Sequence, residues 1–381
     1  MMNKNSSLLR NSFFYVLLVL FLTSCSVFDG DAKKLSYKSL GVNIPMFNVK
    51  KVWSTKIGIN NTALALRVND INVAIASADG VIAVIDGRTG ADVWRVLLKE
   101  SLTAGVGSDG HSVAVVSSKN DVVLLESGSE KWRQRLTTQV FTSPLVAGGR
   151  VFVLTADRSI IAFDVKDGRR LWIQQNSGDS LALRHPGILM AVNETLVAGV
   201  SGRLLGLNPD SGSVHWDAPL SIPRGTNDIE RLVELVEGAS RVNDSICVRS
   251  FQSVVGCIDT LRGTVSWSQK AAGFYGVDGD ASSLYGSESN GNVIAWNREN
   301  GSRAWTSDRL QHRRLTAPLL LGRSVVFGDD GGELHFLSRD DGSPLNRLST
   351  DSSGISVTPV VVADTLVVVS RAGYVYGFRP D

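Results

Sequence analysis

The residues whose chemistry draws attention first are carboxylates that recur in one setting. Asp86, Asp164 and Asp259 each close an apolar run, with a glycine four residues on and a tryptophan eight residues on. Such groups can act as general acids or bases, or help to hold a divalent cation. Their multiplication argues otherwise: near-copies of one motif, spread along a whole chain, are structural. Gly105 to Gly110, GVGSDG, spells a nucleotide-binding pattern, but HSVAVVSS follows it and reads as a strand where phosphate binding requires a helix. It is read as an inter-strand turn. The five histidines (111, 185, 215, 312 and 335) are scattered, with no second ligand at metal spacing. No nucleophile elbow or P-loop is present. The expectation is a chain with no catalytic residues, no metal site and no cofactor.

One residue does carry chemistry. Lys4 and Arg10 precede the apolar run Phe13 to Leu22, about half the roughly 20 residues needed to span a bilayer as a helix. Basic flank, short apolar run and small-residue exit are the parts of a secretory signal. The exit reads Leu22-Thr23-Ser24-Cys25 and resembles a bacterial lipobox, whose cysteine thiol takes a diacylglycerol and becomes the new amino terminus. Two or more acyl chains give stable anchoring. Ser26, where an aspartate would signal retention in the inner membrane, favours the outer one by the same resemblance. Residues 1–24 are thus expected to be a signal peptide, and 25–50 a lipidated cysteine with a flexible polar tether.

The remaining cysteines are Cys247 and Cys257. They fall on adjacent strands of one hairpin, whose turn aligns with its sisters at Gln252-Ser253. A two-residue turn sets 247 against 258 and sends the two thiols to opposite faces of the sheet; a bulge would bring them together. With 39 basic and 37 acidic residues and no basic run, the composition argues against nucleic-acid binding.

The elements that position everything else are repeats. VIDGRTGADVW ends at Trp94, AFDVKDGRRLW at Trp172, GLNPDSGSVHW at Trp216, CIDTLRGTVSW at Trp267 and AWNRENGSRAW at Trp305. A clipped copy ends at Trp132, a decayed one at Asn346, and Trp53 stands alone in KVWSTKIG. Spacings of 38 to 51 residues with short alternating runs indicate four-stranded propeller blades. Each copy reads as a strand opened by proline, an apolar strand, a two-residue Asx-Gly-type hairpin, an apolar strand ending in Asp or Asn, a glycine turn and a tryptophan strand. The tryptophans are expected to pack between neighbouring sheets. The last copy has three strands and no tryptophan strand; the orphan around Trp53 supplies it. The expected fold is all-β, an eight-bladed β-propeller over residues 51–381, closed by pairing the N-terminal strand with the C-terminal blade.

Two resemblances follow. The Asp-x-x-x-Gly-x-x-x-Trp repeat resembles the tryptophan-docking repeats of quinoprotein dehydrogenases, which implies an enzyme as the alternative. The chain lacks the adjacent cysteine pair that many of them carry, and no calcium-liganding set is identifiable. Lipobox, polar tether and eight blades together resemble the BamB family of propeller lipoproteins. The resemblance is closest in RLTAPLLLGRSVVFGDDGGELHF, from Arg314 to Phe336, and DSSGISVTPVV, from Asp351 to Val361. It implies a non-enzymatic scaffold of the outer-membrane β-barrel assembly (BAM) machinery, lipid-anchored through Cys25 and facing the periplasm. The implied partners are the POTRA domains of BamA, the other BAM subunits and unfolded barrel clients.

Two neighbouring inter-blade connections are longer than the rest and emerge on one rim. The first contains LALRHP, the second NDIERLVELVEG. Long loops on a rigid scaffold are where binding sits. By the resemblance, Leu181, Leu183 and Arg184 contact BamA, and Glu234 falls at an acidic contact position. The next acidic position of the family is occupied by Val236. Ile229, Leu232, Val233 and Val236 fit a helical stripe, but their place before a blade favours a loop running into a strand. A third reading, a ligand-binding propeller, requires polar and aromatic groups converging at the central funnel.

Overall fold

Third strands such as Val254–Asp259 and Asp121–Glu126 are apolar on both faces. A sheet of such strands must be covered on both sides, and stacking like sheets around an axis achieves this without leaving an end. The computed structural model describes residues 36–59, 64–176, 183–222, 233–355 and 357–381; Cys25 and Leu181 lie outside them. The described residues form eight four-stranded antiparallel sheets and no helix. Blades 1 to 7 are residues 67–97, 102–135, 145–174, 189–219, 240–270, 278–307 and 319–349. Blade 8 joins residues 360–380 to Val49–Lys56, which pairs with Tyr374–Pro380 from Val49 opposite Pro380 to Lys56 opposite Tyr374.

The core is divided in the same way. Eight apolar clusters are each filled from two neighbouring blades. One of them unites Val73 and Ile85 of blade 1 with Val367 and Val375 of blade 8, so the stack is circular.

The repeat motif has a joint purpose. Asp86, Asp164 and Asp259 accept hydrogen bonds from the backbone two residues on, at 2.8, 2.9 and 3.0 Å. Asn208 and Asn297 do the same. These are Asx turns, the structural role expected for them. Each turn also receives the tryptophan of the preceding blade. Indole Nε1 donates to a turn carbonyl in the pairs Trp53–Gly87, Trp132–Val165, Trp172–Pro209, Trp267–Arg298 and Trp305–Arg339, at 2.7–3.2 Å. The turn glycine lies against the ring. At Gly168, with φ +72°, a Cβ would sit 2.6 Å from the indole of Trp132. Trp94 and Trp216 pack likewise beside Gly128 and Gly263.

The prolines also stand where expected, with Pro144, Pro318 and Pro359 immediately before the innermost strands Leu145–Ala147, Leu319–Leu321 and Val360–Val362. The glycine pattern at 105–110 is only partly a turn. Gly105 and Gly107 belong to Leu102–Ser108, the innermost strand of blade 2. Gly107 allows the close approach of blade 3, where a Cβ would meet the Pro144 carbonyl oxygen at 2.1 Å.

The hairpin turns correct one expectation and resolve another. Of the hairpins that join the second and third strands of the blades, only Ser201-Gly202 is a two-residue turn, between Val200 and Arg203. In the others three residues lie between the last bonded pair. In blade 5, Ser250 bonds Val254, and Gln252 in the loop takes φ +47°. That extra residue shifts the register by one, sets Cys247 directly opposite Cys257, and the two form a disulfide with Cα atoms 3.9 Å apart. Both are buried. Replacing both cysteines by alanine is expected to cost about 2–3 kcal/mol in urea unfolding, since the cross-link restricts the unfolded chain. An unchanged urea midpoint would show that the pair contributes nothing.

Residues 38–48, expected to belong to the flexible tether, lie along blade 7. Lys38 N donates to Gln311 O at 3.1 Å, and its ammonium pairs with Asp308 at 2.7 Å. Met46 N donates to Leu345 O at 2.8 Å, and the Phe47 ring meets Phe336 edge-on at 5.5 Å. Asn346, the decayed marker, donates from Nδ2 to Phe47 O at 2.9 Å and accepts from Asn43 at 3.3 Å.

Blade 7 also contains a buried charged cluster. The Asp329 carboxylate is fully buried and accepts from Arg313 Nη1 at 2.5 Å and from His335 Nε2 at 2.9 Å. It also accepts the backbone N–H groups of Gly331 and Glu333. Burial pushes this carboxyl up, but His335, the backbone donors and Arg313 outweigh it and hold it below its ordinary value. Asp329 and His335 fall within the segment from Arg314 to Phe336.

Candidate partner-binding surface

The two long connections leave the outer strands of blades 3 and 4 and return to the axis as the entries to blades 4 and 5. They are tied together at their ends. Glu237 N donates to Pro186 O at 2.8 Å, and Gly187 N donates to Thr142 Oγ1 at 3.0 Å. Residues after 232 run antiparallel to the end of the second strand of blade 5, with Leu235 bridged to Ser250 and Val236 N bonded to Arg249 O. Val233, Leu235 and Val236 are buried. The apolar stripe is therefore, in its described part, a loop running into a strand.

Within this frame Leu183, Phe141, Arg158 and Glu234 line one small crevice. Arg184 is exposed, with its guanidinium 5.9 Å from the centre of the Phe141 ring. A cation over a ring face keeps a long side chain extended while leaving its donors free for a partner. Leu183 is half-buried beside it. Glu234 has a different setting. Its carboxylate accepts from Arg158 at 2.9 Å, and the side chain is 17% exposed against 8% for Arg158. Burial pushes the Glu234 carboxyl above its ordinary value, against the opposing pull of Arg158. Arg158 sits at φ +67° in a hairpin loop of blade 3, and its carbonyl accepts from Asn176. The pair thus pins the second connection to blade 3. No sequence signal marks Arg158, because it stands 76 residues from its partner.

Leu183, Arg184 and Glu234 are thereby brought to one part of the rim. Among the described residues no group of three or more His, Cys, Asp or Glu side chains is arranged to hold a metal ion.

The family profile described as Outer membrane protein assembly factor BamB matches residues 78–307. The protein of that name from Burkholderia pseudomallei is 36% identical over 341 residues, covering 88% of this chain and 89% of its own. Among solved structures, BamB from Moraxella catarrhalis superposes with a TM-score of 0.80 at 21% identity, over 87% of this chain and all of the other. Quinohemoprotein alcohol dehydrogenase from Comamonas testosteroni shares the propeller at a TM-score of 0.68 and 13% identity, over 89% of this chain and 78% of its own. At such identities the last two comparisons speak to fold alone. The extent and identity of the first two show that this chain belongs to the BamB family of outer membrane protein assembly factors.

Proposed function

We propose that this chain is a non-enzymatic scaffold subunit of the outer-membrane assembly machinery, anchored through an acylated Cys25 and facing the periplasm. It docks on the POTRA domains of BamA, alongside the other BAM subunits, and helps to present unfolded barrel proteins for insertion. The observation that carries the reading is family membership over nearly the whole chain. The rim supports it with a rigid platform on which Arg184 extends over Phe141 beside Leu183. Leu181, Leu183 and Arg184 make the contact in this reading. Glu234 acts through Arg158 as a positioning residue, holding the neighbouring connection in place.

Tagged full-length chain is expected to capture BamA from detergent-solubilised outer membranes. Arg184→Glu reduces the capture by about tenfold or more, because arginines at interface centres carry a large share of binding energy and reversal adds repulsion. Equal capture by both forms removes the site and leaves the assembly role. Capture by neither removes the assembly role itself.

A further inference from the structure

The ring lines an open-mouthed cavity of about 390 Å³ on its axis, with walls from every blade except blade 2. This volume falls in the range of small-molecule sites, about 300–1,000 Å³. Much of the wall is apolar, from residues such as Leu66, Ile188 and Val277. Arg67, Glu237 and Asp278 interrupt it. The Asp278 carboxylate already accepts from the backbone N–H groups of Gly279 and Leu320, each at 2.8 Å, which leaves Arg67 and Glu237 as two opposite charges without such partners. Arg67 lies on the innermost strand of blade 1, and Glu237 stands just ahead of the innermost strand of blade 5. In a ring of eight these blades face one another, so the pair reaches across the axis, N to O 3.8 Å.

That separation is an ion pair without a hydrogen bond. Among the described residues, neither the guanidinium nor the carboxylate makes any other polar contact, and each side chain keeps about a third of its surface open, 35% and 34%. The guanidinium donors and carboxylate lone pairs therefore have no protein partner at hydrogen-bond distance and stay open to solvent or a ligand within a largely apolar pocket. Burial pushes the Glu237 carboxyl above its ordinary value, against the pull of Arg67 and His185. Beside the pair, the rings of His185 and Tyr275 lie 5.5 Å apart in a tilted arrangement, and His185 Nδ1 donates to Pro186 O at 3.0 Å, which fixes the imidazole. A staple whose only purpose was to hold the ring closed would bring its groups to hydrogen-bond distance, as Arg158 and Glu234 do.

We propose that the axial cavity is a binding site for a free α-amino acid with an aromatic or large apolar side chain. Such a ligand bears a carboxylate and an ammonium on one carbon atom. It matches a guanidinium and a carboxylate that stand only a few ångströms apart: the ligand carboxylate takes the Arg67 fork, and the ammonium donates to Glu237. The side chain lies against His185, Tyr275 and the apolar wall. A ligand with a single charge leaves one of the two protein groups unmatched and binds more weakly. The site is separate from the rim and does not rest on the assembly reading.

The test is calorimetric titration of the full chain in detergent with L-phenylalanine, 3-phenylpropionate and phenethylamine. The expected result is saturable heat with phenylalanine, and affinities at least tenfold lower for the two singly charged analogues. Arg67→Ala and Glu237→Gln each weaken phenylalanine binding at least tenfold, and Arg67→Lys keeps part of it. Where a variant fails to keep its tryptophan fluorescence and melting temperature, the ligand series on the unaltered chain decides alone. No saturable heat with phenylalanine overturns the proposal. So does binding of phenylpropionate or phenethylamine as tightly as phenylalanine, since either outcome means one charge suffices.

Discussion

Trp132→Ala is expected to lower the free energy of unfolding by about 3–5 kcal/mol, the range for removing a large buried aromatic ring. It appears as a lower urea midpoint with an unchanged slope. The ring is buried, lies 6.1 Å from the Phe163 ring of the next blade, and donates from Nε1 to Val165 O. Its loss opens the interface between blades 2 and 3 at the Asx turn that receives it. The fit on the other side is equally strict. Gly168→Ala places a Cβ against the indole on a backbone at φ +72°, so neither partner of the joint can be altered alone. Trp132→Phe keeps an aromatic ring but loses the Nε1 donor, and is expected to cost less than alanine. If alanine left the midpoint where it was, the repeated tryptophans would not be what couples one blade to the next.

Asp329→Asn is expected to cost about 3–5 kcal/mol, because removing one partner of a buried ion pair leaves the other uncompensated. The carboxylate is fully buried and answers Arg313 and His335 as well as two backbone donors. A neutral amide in its place has one acceptor oxygen and could not serve all four. Pairing the substitution with Arg313→Met removes the stranded charge and recovers part of the loss; the double-mutant cycle measures the coupling. The pH dependence has a definite sign. A carboxyl held below its ordinary 3.8 contributes stability that is present above that value and disappears as pH falls through the folded-state value. Wild type therefore loses stability in acid more steeply than Asp329→Asn. Parallel acid denaturation curves for the two would refute this account of the cluster.

The blade count and the closing strand are legible in the sequence because each blade repeats a turn and a ring in fixed order. The motif is, however, a shared joint between blades. The Asx turn of one blade receives the tryptophan of the blade before it, as Val165 receives Trp132, although the sequence writes Asp164 and Trp172 together. The pairing of Cys247 with Cys257 turns on one residue of loop length, which alignment to Ser201-Gly202 hides. The docking of residues 38–48 is hidden for another reason. Leu40 and Phe47, both half-buried, are the only residues of this segment packed against the neighbouring core clusters, while Val42, Ile44 and Met46 stand exposed. Two anchors in so short a segment make no periodic pattern.

At the rim, Leu183 and Arg184 have the exposure suited to a contact. Glu234 turns its carboxylate to Arg158. Long-range ion pairs of this kind leave no local trace in a sequence, and neither does the meeting of Arg67 with Glu237 across the axis.

The decay of one marker to Asn346 has a cause in the way the ring is cut. Trp305 docks on the corresponding turn of blade 7, led by Ser338 in place of Asp or Asn, but the blade that follows has no such turn. There the third strand ends at Pro380 and the fourth begins at Val49, and the ends meet through Asp381 N and Asn48 O at 3.3 Å. An indole at position 346 would have no turn to enter. Asn346 bonds the carbonyl of Phe47 instead, and the aromatic bulk moves to Phe336, its cross-strand neighbour. In evolutionary terms, the copy beside the seam is released from the constraint that binds its siblings. The loss of the indole at this copy therefore marks where the circle is opened. A circular permutant that joined residue 381 to residue 48 through a new turn would transfer that freedom to whichever blade precedes the new break.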